Sequence, residues 1–251
     1  MKKEILGYWI DSISAKSCAS EIMCHIESRI SPKWLACLNP HSYIIALNDD
    51  RFRAALNLSS WLIPDGVGII LASKILNSGI NSRLTGWDIF CELNLSMNKN
   101  GNISVFFLGS TEEVLLKITN RLKIDYPNIK VVGIFSPPYK NIHSDIDNHE
   151  MVSAINAAQP DVLWVGMTAP KQEKWLAENI FKLNVFFAAG IGAVFDFYAG
   201  EVRRSPLIFQ KLGLEWLPRL LKQPLKLWRR MFISAPIFLF HIFKARYFLK
   251  K

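Results

Sequence analysis

Strand-like and helix-like segments alternate through residues 103–188, and this pattern constrains the fold more than any other feature of the sequence. Short apolar runs at 103–108, 130–135, 162–165 and 185–188 have the length and composition of buried β-strands. The segments between them include stretches of helical periodicity. Because such alternation is typical of a parallel sheet with crossover helices, we predict an α/β protein with a Rossmann-like parallel sheet flanked by helices.

The first half of the chain continues this pattern less regularly. Residues 34–38 and 60–63 are predicted strands, and a predicted helix follows each of them, at 41–48 and 67–76. In open α/β sheets, ligands bind beyond the carboxyl ends of the strands. The turns at those ends are therefore the candidate site positions: 39–41, 64–66, 109–111, 166–169 and 189–192.

Positive charge is concentrated at the C-terminal end of the chain. Residues 201–251 contain 12 of the 30 Lys and Arg residues but only two acidic residues, Glu201 and Glu215. Their net charge is therefore +10, whereas residues 1–200 carry −1. We divide the chain accordingly into an α/β body, residues 1–200, and a tail, residues 201–251. We predict that the tail is a basic, amphipathic, helical appendage that meets a polyanion.

The apolar residues between the charges of the tail indicate which polyanion it meets, an anionic membrane or a nucleic acid. The apolar run at 231–243 is too short to span a bilayer and contains Pro236. Its Phe residues and flanking cations fit a segment that lies in the headgroup region of an anionic leaflet. A helix packed on the body, or between copies in a homo-oligomer, is the alternative. Nucleic-acid tails pair their cations more often with Gly, Ser or Asn, so we predict no nucleic-acid partner.

Two charged side chains lie near predicted turns of the first half. Asp65, in Pro64-Asp65-Gly66, follows a strand and precedes a helix, where a carboxylate can act as a general base in a cleft. Alternatively, Asp65 caps that helix. Arg83 lies near the start of the next predicted helix, a position that also attracts anions. A surface salt bridge is the alternative for Arg83.

Two strand ends of the second half carry groups that can contact a ligand. Gln172 lies in the first turn of a predicted helix, where its amide can hydrogen-bond a sugar or a base edge or simply be solvated. Gly190 and Gly192 follow the last predicted strand. Glycines there allow the backbone to approach a ligand closely, although packing glycines give the same pattern.

Several other chemistries lack support in the sequence. Asp145 and Asp147 form the Asp-x-Asp pattern of many metal-dependent sugar transferases, but they occur in a polar stretch, 136–150, that we predict to be a loop. We therefore predict no metal site. No Gly-x-Ser-x-Gly nucleophile motif and no P-loop occur. The four cysteines form no Cys-x-x-Cys pair and the N-terminus lacks a signal-peptide pattern, which predicts a cytosolic protein with reduced thiols.

The order of the motifs resembles the WecG/TagA/CpsF glycosyltransferases from about Leu6 to Arg230. The most specific blocks are Pro170-Lys171-Gln172-Glu173-Lys174-Trp175 and Leu214-Glu215-Trp216. Further matching positions, in chain order, are Asn39, 63–66, 83–88, Gly109, 126–128, 196–200 and 203–206. The resemblance implies an inverting, metal-independent transfer of a sugar from a UDP-sugar to a polyprenyl-diphosphate-linked sugar. Such a reaction belongs to cell-envelope or exopolysaccharide synthesis and needs no cofactor.

The resemblance also implies roles for individual residues. Asp65 matches the family's proposed base, and we place Arg83 beside it as the second catalytic residue. The predicted substrate-binding residues are Asn39, Asp88, Gly109, Tyr139, Gln172, Gly190, Gly192, Arg219, Lys226 and Arg229. Cys37 stands where the family usually has threonine. A lysine, Lys226, stands where arginine is usual, which keeps the charge but loses the planar fork that binds phosphate at two points.

A lipid-linked acceptor implies a peripheral protein at the cytoplasmic face of the inner membrane. The tail would then bind the membrane and also stabilise the leaving UDP without a metal ion. A non-catalytic nucleotide-sugar or lipid-binding protein of the same fold is the alternative function. The sequence leaves the donor sugar open among N-acetylmannosamine, its uronic acid, glucuronic acid and glucose.

Overall fold

A six-stranded parallel sheet forms the centre of the molecule. A computed structural model describes residues 1–140, 142–206, 208–209, 214–222 and 224–248, with the side chains of Arg219, Lys222 and Lys226 outside the description. The strands of the sheet are β3 (Lys33–Leu38), β4 (Trp61–Pro64), β5 (Ser104–Gly109), β6 (Lys130–Phe135), β7 (Val162–Gly166) and β8 (Phe187–Gly190). Their order is β4-β3-β8-β7-β5-β6, and every pair is parallel. The predicted α/β fold is therefore confirmed.

Helices cover both faces of this sheet. They are α1 (Ala15–Ser28), α2 (Pro40–Asn48), α3 (Asp50–Leu58), α4 (Val67–Leu76), α5 (Gly86–Asn100), α6 (Glu112–Asp125), α7 (Asp145–Ala158), α8 (Lys171–Asn179) and α9 (Val194–Tyr198), with a 3₁₀ turn at Ile180–Lys182. Helices α2, α3, α4, α7 and α8 pack on one face, and α1, α5, α6 and α9 on the other. Because both faces are covered, β7 is apolar along its length, with Val162 to Val165 fully buried.

An antiparallel hairpin, which the sequence reading does not predict, precedes the sheet. It consists of β1 (Lys2–Ile5) and β2 (Tyr8–Asp11), and Leu6 and Gly7 both have positive φ angles in the turn. A two-residue turn of this kind matches the twist of a hairpin. Asp11 fixes the hairpin to the sheet, because its carboxylate accepts a hydrogen bond of 2.8 Å from the backbone N–H of Leu62.

The predicted loop at 136–150 is wrong from Asp145 onward, where α7 begins. Ser144 caps this helix: its hydroxyl oxygen accepts from the backbone N–H of Asp147, and the Asp147 carboxylate accepts from the backbone N–H of Ser144, which forms a capping box. The first turn of α7 is polar because it consists of these capping groups. Its apolar residues begin only at Met151, so a search for apolar periodicity finds the helix late.

The described part of the tail is helical from Trp216 onward, whereas residues 201–206 form no helix. It contains α10 (Trp216–Lys222), α11 (Pro224–Arg229), a π-helical turn at Arg230–Ser234 and α12 (Ala235–Phe248). Helix α12 packs against α2 and α4, and buries Phe238 and Ile242 in the core of the body. None of the described helices is both long enough and apolar enough to cross a membrane.

Helix α12 differs from the predicted amphipathic appendage. Besides its buried residues, it exposes large apolar side chains on its outer side: Ile237, Phe240, Phe243, Tyr247 and Phe248. It is therefore apolar toward the body and also largely apolar toward the solvent. The division of the chain at residue 200 stays a prediction.

Candidate active site

The carboxyl ends of all six parallel strands lie at one edge of the sheet, and the predicted site residues gather there. The backbone N–H of Asp65 donates to the carbonyl of Leu38 at 2.8 Å, which joins the turn after β4 to the end of β3. The backbone N–H of Leu84 donates to the carbonyl of Pro64 at 3.0 Å. The segment 83–86 therefore lies beside the turn that carries Asp65.

Asp65 does not serve as the cap of α4. Gly66 occupies the cap position, and no side chain makes a capping hydrogen bond there. The capping interpretation of Asp65 is therefore wrong. The side chain is partly buried at the sheet edge, beside the end of β3. This position suits a carboxylate that receives a proton from a substrate hydroxyl.

Cys37 connects Asp65 electrostatically to a second carboxyl group, that of Glu173. Burial raises the pKa of the Cys37 thiol well above its ordinary value, and the charges of Asp65 and Glu173 raise it further. A hydrogen bond from the backbone of Gly86 acts in the opposite direction. Cys37 is therefore a neutral thiol near physiological pH. Because Asp65 and Glu173 both act on this thiol, the two carboxyl groups lie in the same part of the edge.

Asn39 begins the helix that follows β3. Its side-chain oxygen accepts a hydrogen bond of 2.9 Å from the backbone N–H of Ser42, and Pro40 occupies the first helical position. Asn39 thus has a structural role in addition to its predicted contact with substrate, which stays a prediction.

Gln172 lies against the glycine loop that follows β8. A Cβ added at Gly190 would lie 3.2 Å from the amide nitrogen of Gln172, and one added at Gly192 would lie 3.4 Å from its amide oxygen. Gly192 also has a φ angle of +48°. The structure therefore brings Gln172, Gly190 and Gly192 together, and their contact with substrate stays a prediction. Gln172 is buried rather than solvated, so that alternative is wrong.

Gly109 permits close contact between two strand ends. Its φ angle is +113°, and an added Cβ would lie 2.7 Å from the backbone carbon and oxygen of Gly166. No side chain fits at this distance. The packing of β5 on β7 is sufficient to require glycine here, and a contact between Gly109 and substrate stays a prediction.

Arg83 is paired with a carboxylate of the tail. Its guanidinium lies 2.9 Å from one oxygen of Glu215, and the guanidinium of Arg204 lies 3.4 Å from the other oxygen. Arg204 also stacks on the ring of Trp87 at 4.9 Å. These side chains are only partly exposed. The salt bridge of Arg83 is thus a link between the body and the tail rather than a surface pair within the body.

Two further predicted residues occupy different environments. Asp88 forms a capping box with Thr85, whose backbone N–H and hydroxyl both donate to one carboxylate oxygen, at 2.9 and 2.7 Å. Tyr139, after β6, is 94% exposed, and the ammonium of Lys171 lies 4.9 Å from its ring centre. Tyr139 follows β6 and Asp65 follows β4, so the two residues come after opposite edge strands of the sheet, with four strands between them.

The tail residues predicted to bind the diphosphate are described only in part. Arg229 is exposed at the end of α11, with its guanidinium 5.6 Å from the ring centre of Trp228. The side chains of Arg219 and Lys226 lie outside the described residues. Their predicted role is therefore not tested by the structure.

Three residues of this region were missed by the sequence reading. Glu173 is buried beside Gln172, whereas Glu215 and Arg204 complete the cluster around Arg83. A glutamate in the first turn of a helix is usually solvated, so the position of Glu173 gives little signal. The sequence does contain a signal for Glu215, because it is one of only two acidic residues in a strongly basic segment.

The Asp145–Asp147 pattern has a structural function at the start of α7. The ammonium of Lys140 lies 2.9 Å from both oxygens of Asp147, and this contact and the hydrogen bonds from Ser144 hold the pKa of the carboxyl well below its ordinary value. Across the described ranges, no three His, Cys, Asp or Glu side chains are grouped as a metal site would require.

Comparison with known proteins gives the same family as the motifs. A sequence profile described as the glycosyl transferase WecG/TagA/CpsF family matches residues 3–251. An N-acetylglucosaminyldiphosphoundecaprenol N-acetyl-beta-D-mannosaminyltransferase of Bacillus spizizenii strain W23 is 31% identical over 211 residues, covering 84% of this chain and 79% of that protein. The protein of the same name from Bacillus subtilis strain 168 is 30% identical over 84% of this chain and 78% of its own length.

A relative from Staphylococcus aureus extends the similarity over the tail. The protein of the same name from strain MW2 is 29% identical over 255 aligned positions, covering all of this chain and 95% of its own. The edge of the sheet, the Gln172 helix and the Leu214-Glu215-Trp216 block thus all fall within the matched region. The chain belongs to the WecG/TagA/CpsF family of glycosyl transferases.

Proposed function

We propose that this protein transfers N-acetylmannosamine from its UDP derivative to N-acetylglucosaminyl-diphosphoundecaprenol, with inversion and without a metal ion. The observation that carries the proposal is the position of Asp65 at the carboxyl edge of the sheet, joined to the end of β3 and beside the segment that carries Arg83. The names of the relatives support the choice of sugar and of acceptor.

In the proposed reaction, Asp65 is the general base. It takes the proton of the attacking acceptor hydroxyl as the hydroxyl oxygen bonds to the anomeric carbon of the donor sugar. The bond from that carbon to UDP breaks on the opposite side, and its electron pair goes to the β-phosphate oxygen. Attack from the opposite face would convert an α-linked UDP-sugar into a β-linked product, and the names of the relatives, which specify a beta-D-mannosaminyl group, support a β-linked product.

The leaving diphosphate needs positive charge, which Lys and Arg side chains can supply. Arg83 is the candidate in the body, and Arg219, Lys226 and Arg229 are the candidates in the tail. Arginine is suited to this role because its planar guanidinium binds phosphate oxygens at two points. We therefore propose that UDP lies between the sheet edge and the tail.

The tail also accounts for access to a lipid-linked acceptor. The outer side of α12 exposes Phe240, Phe243 and Phe248, and the tail carries a net charge of +10. Aromatic side chains and cations together bind anionic leaflets. We propose that this surface holds the protein, as a peripheral protein, on the cytoplasmic face of the inner membrane.

A donor panel tests the proposal. Purified protein is mixed with a short-chain polyprenyl-diphosphate N-acetylglucosamine and, in turn, the UDP derivatives of N-acetylmannosamine, N-acetylmannosaminuronic acid, glucuronic acid and glucose. UDP release should be fastest with N-acetylmannosamine and should persist in excess EDTA. UDP-sugar binding without release by any donor would favour a non-catalytic binding protein. Activity lost in EDTA and restored by Mn²⁺ would refute metal independence.

A further inference from the structure

Two adjacent side chains in the first turn of α8 are buried at the sheet edge. Gln172 is 4% exposed and Glu173 is 1% exposed. The amide nitrogen of Gln172 donates to one carboxylate oxygen of Glu173 at 2.9 Å. Neighbouring residues on a helix do not face each other by default, so this contact requires both side chains to turn toward the same space.

Each of these side chains also has one buried oxygen without a partner. Within the described part of the chain, neither the amide oxygen of Gln172 nor the second carboxylate oxygen of Glu173 receives a hydrogen bond. Buried polar atoms in proteins are nearly always satisfied, so an exception next to a ligand-binding edge requires an explanation. A donor group on a bound ligand would satisfy the amide oxygen.

The Gln172 side chain packs directly on the glycine loop. A Cβ added at Gly190 or Gly192 would lie between 3.1 and 3.6 Å from its side-chain atoms. Any side chain at these two positions would therefore crowd the amide. The two glycines therefore make the place that the Gln172 side chain occupies at the edge of the sheet, on the side where ligands of α/β proteins bind.

Glu173 determines which end of the Gln172 amide is held. An ionised carboxylate can only accept hydrogen bonds, so it holds the NH₂ group and leaves the oxygen to turn toward the glycine loop. Burial raises the pKa of Glu173 to about 7, so the ionised carboxylate becomes the main form as the pH rises above 7.

We infer that Glu173 is a positioning residue, which fixes the Gln172 amide so that its oxygen accepts a hydrogen bond from the sugar of the donor. The ligand class is a nucleotide-linked sugar that presents a hydroxyl or an acetamido N–H to this oxygen. The inference rests on the proposed function for the identity of the ligand, and it concerns the sugar rather than the UDP part.

Binding measurements with two ligands test this inference. Calorimetry gives the Kd of UDP-N-acetylmannosamine and the Kd of UDP for each variant. In Glu173→Gln, the new amide can donate to the oxygen of Gln172 and reverse the Gln172 amide. We expect the affinity for the UDP-sugar to fall about 10- to 50-fold, with the affinity for UDP changed less than threefold.

An exchange of the two residues provides the rescue. In the double variant Gln172→Glu, Glu173→Gln, the amide of residue 173 donates to the carboxylate of residue 172, whose other oxygen again faces the glycine loop as an acceptor. We expect the double variant to bind UDP-N-acetylmannosamine at least fivefold more tightly than Glu173→Gln does. A role limited to packing does not predict this recovery.

Glu178→Gln is the matched control, because it makes the same chemical change on the exposed part of α8, where Glu178 pairs with Arg51. It should leave both Kd values unchanged. The inference is overturned if Glu173→Gln binds UDP-N-acetylmannosamine like the wild type, if it loses UDP and UDP-sugar affinity equally, or if the double variant gains nothing. Failure of the proposed function is distinct, because it appears as absence of UDP release by a wild type that still binds the sugar nucleotide.

Discussion

The body and the tail place their aromatic side chains in opposite ways. In the body, Phe52, Phe90, Phe107, Trp164, Phe187 and Phe195 are fully buried between the sheet and its helices. In the tail, Phe240, Phe243, Tyr247 and Phe248 are each about 60% exposed. The net charge differs as well, −1 against +10. The core of the body thus buries many of its large aromatic side chains, whereas the tail presents several aromatic side chains and its net positive charge on the surface.

The two regions nevertheless meet through specific contacts. Phe238 and Ile242 of α12 enter the core of the body, and His41 of α2 makes a 2.8 Å hydrogen bond to Ser234. At the sheet edge, Glu215 pairs with Arg83. Three parts of the molecule can therefore be compared: the edge of the sheet in the body, the contacts that attach the tail to the body, and the outer surface of the tail. Each can be disturbed separately.

The largest effect should come from the body. Asp65→Asn removes the proposed base without a change of shape, and kcat should fall by roughly 10²–10⁴-fold, or about 3–5 kcal/mol in the barrier. UDP release with the preferred donor measures this. Asp50→Asn, an exposed change on α3, is the control. Near-normal turnover in Asp65→Asn would move the role of base to Asp88.

The next largest effect should come from weakening the attachment of α12 to the body, measured as the free energy of unfolding. Phe238→Ala removes a buried ring and should lower the free energy of unfolding by about 3–4 kcal/mol. Phe240→Ala, two residues further on the same helix but 64% exposed, should change it by less than about 0.5 kcal/mol. Urea unfolding followed by circular dichroism compares the two. Equal effects would mean that α12 is not anchored through Phe238.

The outer surface of the tail should matter for membranes rather than for stability. Replacing Phe240 and Phe243 together by Ser should weaken binding to vesicles of anionic lipid by roughly 30- to 100-fold, or about 2–3 kcal/mol. Phe181→Ser, at an exposed phenylalanine of the body, is the matched control. Vesicle co-sedimentation gives both affinities. Unchanged binding in the double variant would assign the exposed face to contacts between copies of the protein.

The contact at His41 predicts a pH dependence. Burial, with a contribution from Arg230, lowers the pKa of His41 from 6.5 to about 4. Between these values the unfolded chain binds a proton that the folded chain does not, so stability is complete above about pH 6.5 and falls as the pH drops toward 4. His41→Asn should remove about 1–2 kcal/mol of this decline.

The measurement for His41 is the free energy of unfolding at pH 7 and pH 4.5. His149→Asn, on an exposed position of α7, serves as the control and should retain the pH dependence of the wild type. If His41→Asn keeps the same decline as well, then His41 is protonated in the folded protein and does not couple α2 to the tail.

The smallest effect concerns the link at the sheet edge. Glu215→Gln removes the charge shared by Arg83 and Arg204, and kcat/KM should fall about five- to tenfold, or about 1 kcal/mol, because Arg83 loses its fixed position. Glu201→Gln breaks a different pair of the tail, with Lys117 of α6, and should leave turnover unchanged. Identical kinetics in the two variants would show that the body places Arg83 without the tail.

The sequence was sufficient to predict the strands of the sheet but not their order. Each predicted strand matches an observed one within two residues at each end, because buried parallel strands are continuous apolar runs. Helix α3 was missed, as was the hairpin of β1 and β2, because each consists of short elements with polar or mixed patterns. The central position of β8 depends on contacts that no local pattern specifies.

For the site, positions at strand ends could be predicted from the sequence, but the partners of the side chains could not. Asp65, Gln172 and the glycine loop were placed correctly at the carboxyl edge. The pairing of Arg83 with Glu215 joins residues far apart in the chain, so no local spacing indicates it. The capping role of Asp88 was accessible from the sequence, because Thr85 precedes it by three residues.

The order of strands in the sheet has a consequence for synthesis of the protein. The pairs β3–β4 and β5–β6 consist of residues before 136, but β7 and β8 lie between them, and Lys33 of β3 pairs with Phe187 of β8. The two pairs cannot join one sheet until residues 162–190 have left the ribosome. Until then, β3 and β5 each have an unpaired edge, and such edges promote aggregation. We expect the nascent chain to depend on chaperones until its last two strands are inserted.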